Sequence, residues 1–241
     1  MGSFAKKISR FVEVVFYEGG YIDILKGLGN TFKIAIIGLI IGIIIGTVVA
    51  AIRVMPKYSL LPRVLDSVCG FYVGFFRGTP IVVQLLVGYF IIMPLLGLGR
   101  ILTPENYCVI IFGLNSGAYV SEVMRGGINS VDPGQMEAGR ALGYGYARTM
   151  IKFVVPQAIK NILPSLGNEF ISLIKETSVI SFVGAADLYV ASTKIGLNTY
   201  EIMVPFLFMA ICYIVIIFLI TRLIRLIEFI FSKSDRKSSK K

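Results

Sequence analysis

The 241-residue sequence contains no histidine and no tryptophan, and only three cysteines. Without histidine, the chain lacks the commonest general base and the commonest metal ligand. The cysteines, at positions 69, 108 and 212, each lie in an apolar stretch, which favours packed thiols over disulfides or metal ligands. There is also no paired-carboxylate motif and no metal-ligand spacing. We therefore expect no catalytic residue, metal or cofactor on this chain, and a membrane enzyme is the least favoured function.

A phosphate-binding loop of the form G-x-x-x-x-G-K-[S/T] is missing as well, so any dependence on ATP must come from another subunit.

Charged residues make up only 16% of the chain, whereas 56% is hydrophobic and the mean hydropathy is +0.80. The runs 34–52 and 202–220 approach the ~20 apolar residues that cross a hydrocarbon core. The composition predicts a polytopic, all-α integral membrane protein with a single membrane domain.

Basic residues outnumber acidic ones by 24 to 14, which gives a net charge of +10. They gather at 53–63, at 125–160 and in the tail from residue 222. This placement follows the positive-inside rule and suits contact with an anionic cytoplasmic leaflet, so membrane lipid is the expected partner and nucleic acid is not.

Five membrane spans are predicted, separated by polar connections. The N-terminal residues 1–29 are interpreted as a surface amphipathic segment, 125–165 as a cytoplasmic loop and 224–241 as a basic cytoplasmic tail. Five spans put the two termini on opposite sides, and the basic tail and loop place the C-terminus in the cytoplasm and the N-terminus outside. The spans lie at about 30–52, 68–96, 107–124, 166–186 and 202–223, and the second has a proline, Pro80, at which it can be interrupted.

The polar stretch 125–164, called the island below, has the pattern of a helix-turn-helix. Asp132 is placed as an N-cap, Pro133 at the first helical position and Gln135 for a capping box. Gly143 is placed to end this helix. A second helix is expected to end near Pro156 and Pro164. Such an island is a means of presenting a docking surface to a soluble partner.

The island also carries a family resemblance. Glu137-Ala138-Gly139, three residues, Gly143, nine residues and then Phe153-x-Val155-Pro156 resembles the EAA loop of ABC importer permeases, E-A-A-x3-G-x9-I-x-L-P. Gly139, Phe153 and Val155 depart from that pattern but keep small or apolar character. Two further strings, FFRGTP at 75–80 and IKETS at 174–178, resemble the polar amino acid branch, and the resemblance covers roughly 28–226.

The resemblance implies a type I ABC importer core of five transmembrane helices in a bacterial cytoplasmic membrane. It implies a permease that moves polar L-amino acids inward, paired with a second copy or a paralogue. Two cytoplasmic ATPase subunits, holding ATP and Mg, would dock on the islands, and an extracellular solute-binding protein would deliver the solute. Coupling to the ATPase would fall to Glu137, Ala138, Gly139 and Gly143.

Polar residues within the predicted spans are candidates for the solute path. Ionisable groups at this depth cost about 2.5–3.5 kcal/mol each, so they normally face a partner or a wet cavity. The third span offers Asn115, Ser116, Tyr119 and Glu122, of which Glu122 is expected to pair with a basic residue of the island. On one face, the fourth span carries Ser165, Asn168, Glu169, Ser172, Lys175 and Glu176. The alternative is that Lys175 and a glutamate merely tie helices together.

Pro80 lacks an N–H and would leave the carbonyl of Phe76 without its helical partner. Together with Thr79 and Gln84, this carbonyl could hold the ammonium and carboxylate of an amino acid. The alternative is an ordinary proline kink, with Arg77 reaching the interface or pairing to an acid. In the first span, Gly42 and Gly46 form a GxxxG-like pattern that favours close helix packing.

A second class of function, an ion-coupled secondary carrier or channel, is supported by the carboxylates within the spans. The absence of a convincing internal repeat weakens this alternative.

Overall fold

The computed structural model describes residues 2–238, with side chains from residue 4 to residue 230. Met1 and the last residues of the predicted basic tail, 239–241, lie outside the described residues. Within the described part the secondary structure is helical, and no strand occurs there.

Eleven α-helices follow one another in the described part of the chain. Between α4 and α5 and between α8 and α9 the helix continues through a π-helical turn, at Gly88–Ile92 and Met150–Val154. Short 3-10 helices lie at Leu98–Arg100 and Thr177–Val183. The α-helices are α1 Gly2–Phe16, α2 Gly20–Val54, α3 Leu60–Gly78, α4 Ile81–Val87, α5 Met93–Leu95, α6 Pro104–Asn129, α7 Pro133–Ala141, α8 Tyr146–Thr149, α9 Val155–Glu176, α10 Leu188–Thr199 and α11 Met203–Ser238.

Three helical segments are long and apolar enough to cross a membrane: Gly20–Val54, Pro104–Asn129 and Met203–Ile230. Two interrupted pairs, Leu60–Gly78 with Ile81–Leu95 and Tyr146–Val183 with Leu188–Thr199, raise the number to five if each pair is one span. The second predicted span is indeed interrupted at Thr79-Pro80, where the backbone is extended (Thr79 φ −123°, ψ 144°). The first of the three long segments begins at Gly20, well before the start near residue 30 that the sequence predicts for the first span.

The chain divides into two compact units. The first comprises 1–38, 80–112 and 171–220, and the second comprises 39–79, 113–170 and 221–241. The helices α2, α6, α9 and α11 each contribute residues to both.

In the first unit, α1 is more than an amphipathic helix on a membrane surface. Its residues Phe11, Val14 and Val15 are buried in a core with Leu188, Ala191 and Ile195 of α10 and Val204 of α11. Lys7 reaches Glu201, in the connection between α10 and α11, at 2.6 Å. The N-terminal segment was predicted from its amphipathic pattern alone, which does not reveal that its apolar face packs against the chain itself.

In the second unit, small residues bring α2 and α6 close together, as the GxxxG-like pattern predicts. A Cβ at Gly42 would lie 2.6 Å from Oγ of Ser116, and one at Gly46 would lie 2.7 Å from Cγ1 of Val120. On the opposite helix, Gly117 lies similarly close to Ile45. The two backbones can therefore approach closely because these glycines carry no side chain.

The prediction that the second island helix ends near Pro156 and Pro164 is wrong. Pro156 is the second residue of α9 and follows a π-helical turn, a position where a missing N–H is tolerated. Pro164 lies inside α9, which continues to Glu176. Burial of one face of α9 maintains the helix, because Ala158 and Ile162 pack into the core on the inner side of the island.

Candidate functional site

The first helix of the island, α7, begins as its sequence predicts. Asp132 is the N-cap, and its Oδ1 accepts a hydrogen bond of 2.9 Å from the backbone N–H of Gly134. Pro133 occupies the first helical position, where its missing N–H costs nothing. The predicted capping box is not formed as expected, because Oε1 of Gln135 accepts from Nε2 of Gln157 in α9 at 3.1 Å. The amide of Gln135 thus ties the two helices of the island together.

The helix α7 ends at the glycine where the sequence predicts its end. Gly143 has a positive φ of 84°, a conformation that glycine adopts without steric cost. Its N–H donates to the carbonyl of Arg140 at 3.0 Å, and the N–H of Tyr144 donates to the carbonyl of Gly139 at 3.2 Å. These two bonds are those of a Schellman cap. A Cβ at Gly143 would meet nothing within 4 Å, so its backbone conformation alone requires glycine.

Gly139, which stands where the EAA pattern has its second alanine, is buried against α8. A Cβ built on Gly139 would collide with Cγ2 of Thr149 and lie 3.0 Å from its Oγ1. Thr149 is itself fully buried and donates its hydroxyl to the carbonyl of Gly145 at 3.2 Å. Glycine in place of the alanine of the EAA pattern therefore leaves room for the side chain of Thr149 on the facing helix.

The island has a packed inner side and an exposed outer side. Its inner side is a core of Val131, Val154, Ala158 and Ile162. The outer side carries the remaining predicted coupling residues and their neighbours. These exposed residues are Glu137, Ala138, Arg140, Leu142 and Gly143. With its side chain 75% exposed, Leu142 adds an apolar point to this surface.

Along the facing parts of α3 and α6, polar side chains bind backbone carbonyls of the opposite helix. The hydroxyl of Tyr72 donates to the carbonyl of Leu114 at 2.5 Å. Asn115 Nδ2 donates to the carbonyl of Phe76 at 3.4 Å, the carbonyl that the proline at position 80 deprives of its helical partner. Thr79, by contrast, donates its hydroxyl within its own segment, to the carbonyl of Phe75 four residues earlier, at 2.8 Å. Both Asn115 and Thr79 thus satisfy backbone groups next to the interruption, as membrane interiors require.

Two turns beyond Asn115 on α6, Glu122 is surrounded by three arginines, and we call these four residues the arginine–glutamate cluster. Arg53 Nη1 donates to Glu122 Oε1, and Arg125 Nη2 donates to Oε2 at 2.7 Å. Arg77 Nη1 lies 3.7 Å from Oε2, and its guanidinium stacks over the ring of Tyr119 at 5.3 Å. The expected pairing of Glu122 with a basic island residue is confirmed for Arg125.

Ser116 is fully buried and faces Gly42 of α2, so it lies at a helix contact within the chain. Tyr119 is more open, with 37% of its surface exposed.

In the first unit, Gln84 is buried with 8% exposure in α4, just after the interruption. The carbonyls of Gln84 and Leu85 both lie within hydrogen-bonding distance of the Tyr107 hydroxyl, at 3.3 and 3.1 Å. Pro80 is the N-cap of α4, and its carbonyl accepts from the N–H of Gln84 at 3.2 Å.

All members of the predicted stripe of the fourth span lie on α9. Asn168 and Lys175 are exposed, and Ser165, Glu169, Ser172 and Glu176 are half-buried. By contrast, Leu173 and Ile174 of the same helix are fully buried. The polar stripe is thus the more open side of α9 in the structure.

Comparison with known proteins agrees with this arrangement. Residues 38–232 match the family described as binding-protein-dependent transport system inner membrane component. The chain belongs to this family. It is an ABC importer permease, a multi-pass protein of the cytoplasmic membrane, and family membership decides against the secondary carrier. The family is one of transport components, in line with the expectation that the chain itself is not an enzyme.

The permease is similar to a putative glutamine transport system permease of Rickettsia bellii, with 42% identity over 90% of this chain and 97% of the relative. It is also 37% identical to an arginine transport system permease of Bacillus subtilis, over 85% of this chain and 90% of the relative. Among solved structures, an amino acid ABC transporter matches with a TM-score of 0.80 and 36% identity, over 90% of this chain and 97% of that one.

The structure of the MetNI methionine ABC transporter matches with a TM-score of 0.66 at 17% identity, over 84% of this chain and 95% of that one. At this identity the likeness shows the fold alone. The permease therefore has the type I importer fold.

Sequence reasoning overlooked two features of the permease's site. Arg53 was assigned to a basic connection on the cytoplasmic side, but it pairs with Glu122, a partner far away in sequence. Thr149 was not singled out at all. Gly139 was the signal that could have revealed it, because glycine where the EAA pattern has alanine indicates that another residue packs closely there.

Proposed function

We propose that the permease moves polar L-amino acids into the cytoplasm. Supporting this are the names of its relatives, which include glutamine and arginine permeases, and the two sequence strings that resemble the polar amino acid branch. The open side of α9 offers both charge signs through Lys175, Glu169 and Glu176, which suits a zwitterionic solute. The permease acts as a pair, with a second copy or a paralogue, and an extracellular solute-binding protein delivers the solute.

The island is the proposed docking surface for a cytoplasmic ATPase, one for each permease of the pair. The single observation that carries this role is the shape of α7, which is capped at both ends and packed on its inner side by Gly139. A short helix held in this way presents Glu137, Ala138 and Gly143 as one rigid surface. The ATPase holds ATP and Mg, and this chain holds no cofactor.

The cytoplasmic placement of the island implies an orientation for the chain. The basic residues of the island and of the tail favour the cytoplasmic side, so the N-terminus lies outside and the C-terminus inside. The proposed domain limits are those of the sequence pattern: a segment at 1–29, the membrane domain at 30–223 and the basic tail at 224–241.

Thr79, Pro80, Gln84 and Tyr119 line the solute path together with the polar stripe of α9, which comprises Asn168, Glu169, Ser172, Lys175 and Glu176. Ser116 supports the path from its buried contact with α2. Gln84 follows the interruption at Pro80, and its amide carries both a donor and an acceptor. It is therefore suited to the groups that all α-amino acids share.

The test is uptake of labelled L-glutamine and L-arginine into proteoliposomes that contain the permease, its ATPase and its binding protein. We expect uptake to require ATP on the side of the membrane that the ATPase faces, and to persist when ion gradients are collapsed with ionophores. Uptake that follows an imposed ion gradient in the absence of ATP would contradict this function.

Gln84→Ala tests the solute path in the same system. We expect it to weaken the uptake of every accepted amino acid by a similar factor, on the order of tenfold for about 1.4 kcal/mol. Glu169→Gln and Lys175→Met should instead change the ranking of side chains in competition by a panel of amino acids. A changed ranking in Gln84→Ala, with the common affinity intact, would refute this division.

A further inference from the structure

Arg77 is the member of the arginine–glutamate cluster that Glu122 holds most loosely. Its Nη1 lies 3.7 Å from Glu122 Oε2, whereas Arg125 approaches the same oxygen to 2.7 Å. The side chain of Arg77 is also the most exposed of the three, at 44% against 38% for Arg125 and 22% for Arg53. A guanidinium has five N–H donors in a planar fork, so Arg77 retains donors for a second acceptor.

The cluster carries more positive than negative charge. Three guanidinium groups face one carboxylate, which leaves a surplus of two positive charges. The nearby Asp66 does not remove this surplus, because Lys57 lies 2.5 Å from its carboxylate and balances it. Glu122 and Arg53 are only 18% and 22% exposed, so this surplus is incompletely screened by water and favours the binding of an anion.

Arg77 keeps its place without depending on Glu122. Its Cζ lies 5.3 Å from the centroid of the Tyr119 ring, and this cation–π contact helps to hold the guanidinium there. It also stands in the last turn of α3, two residues before the interruption at Thr79-Pro80. An arriving anion can therefore replace Glu122 on Arg77 while the guanidinium remains on the ring. Glu122 itself retains Arg53 and Arg125, so no carboxylate is left without a partner.

We propose that Arg77 receives the carboxylate of the transported amino acid and that the solute displaces Glu122 from it. This inference rests on the proposed function, because it assumes that the solute is an amino acid. A carboxylate matches the planar fork of arginine with two parallel hydrogen bonds. A phosphate of an anionic lipid has related chemistry, and the experiment separates the two.

The experiment measures binding to the permease–ATPase complex in phosphatidylcholine nanodiscs, without nucleotide and without binding protein. Labelled L-glutamine and L-arginine are displaced by the same amino acids and by their α-amides, which lack the carboxylate charge. In the wild type we expect the amides to compete at least about tenfold more weakly than the acids, as the loss of one charge-assisted hydrogen bond requires. In Arg77→Gln the acids should weaken to the level of the amides, whose affinity stays unchanged.

Arg125→Gln is the matched control, because it removes the same charge from the same glutamate. It should keep the preference for acid over amide, whereas Arg77→Lys should give an intermediate preference, since lysine keeps the charge but not the fork. Retained binding of the amides shows that each variant is folded. An unchanged preference in both Arg77→Gln and Arg77→Lys overturns the proposal.

Three further results would also overturn it. If phosphatidylglycerol in place of phosphatidylcholine abolishes binding in the wild type but not in Arg77→Gln, the occupant of Arg77 is a lipid phosphate. If no member of a panel of the twenty amino acids binds the wild type, the proposed substrate class fails, and this inference fails with it. If the wild type binds the amino acids and their α-amides with equal affinity, this inference fails but the proposed function stands.

Discussion

The methyl group of Thr149 occupies the space into which a side chain at Gly139 would project. We therefore expect Gly139→Ala, although alanine is the residue of the EAA pattern, to destabilise the island by about 1–3 kcal/mol through overpacking. The measurement is the thermal midpoint of the purified permease, followed together with hydrogen exchange of α7 and α8.

Two controls accompany this substitution. Thr149→Ser removes the colliding methyl group and keeps the hydroxyl that bonds Gly145, so the double variant should recover much of the loss. Gly126→Ala should be neutral or slightly stabilising, since a Cβ there meets nothing within 4 Å. Equal effects of alanine at positions 126 and 139 would contradict the close contact.

Substitutions of Gly143 should separate insertion from coupling. The space around it is open but its φ is positive, so Gly143→Val is strained, whereas Gly143→Asn is better tolerated. We expect Gly143→Asp and Gly143→Val to insert and pair normally but to transport less solute per ATP hydrolysed, with Gly143→Asn less affected. Uptake and phosphate release in the same proteoliposomes give this ratio, and a normal ratio in Gly143→Val would exclude the role.

The polar side of α9 should be open to water-soluble reagents. In a background without Cys69, Cys108 and Cys212, cysteines at Asn168 and Lys175 should react with a charged thiol reagent, and substrate should slow the reaction. Cysteines at the fully buried Leu173 and Ile174 serve as controls on the same helix. Ser116→Cys should be unreactive too, since its side chain faces Gly42. Labelling confined to positions 173 and 174 would show that α9 is turned the other way.

The contact between α1 and the start of α11 should depend on acid pH. The hydrogen bond from Lys7, assisted by the backbone N–H of Met203, lowers the pKa of Glu201 below its ordinary value. A lowered pKa stabilises the fold above the ordinary value of about 4.3 and loses this effect as the pH falls through the lowered value. The protection of α1 amides in the wild type should therefore exceed that in Lys7→Met at pH 6, and the difference should vanish in strong acid.

Arg10→Met is the control for this experiment, because Arg10 pairs with Glu13 and Glu18 and does not reach Glu201. In an Arg10→Met background, the loss of α1 protection caused by Lys7→Met should depend on pH in the same way as in the wild-type background. A protection difference that persists in strong acid would mean that Lys7 acts through packing alone.

Local signals predicted the parts of the island that local chemistry determines. Asp132, Pro133 and Gly143 start and stop α7 through contacts within a few residues, and these can be identified in the sequence. The ends assigned to Pro156 and Pro164 were wrong because burial of the inner face of α9 outweighs the two missing N–H groups. Tertiary packing of this kind has no local signal.

The partners of Glu122 show the same limit at longer range. Arg125, three residues away, was accessible to reasoning from helix periodicity. Arg53 is 69 residues away and is brought to Glu122 by the glycines that let α2 approach α6, so no spacing in the sequence indicates it. The GxxxG-like pattern predicted the approach of a helix, but not which charge that helix would carry.

The hydrogen bond from Asn115 to the carbonyl of Phe76 makes positions 80 and 115 interdependent. A proline at 80 creates the demand for a donor, and the amide of Asn115 meets it from another helix. Pro80→Ala restores a backbone N–H that reaches the carbonyl of Phe76 once the extended Thr79 becomes helical, and Asn115 should then be dispensable. Asn115→Leu in the presence of Pro80 should leave this carbonyl without that donor. The two positions are therefore expected to change together when such permeases diversify, although 34 residues of chain lie between them.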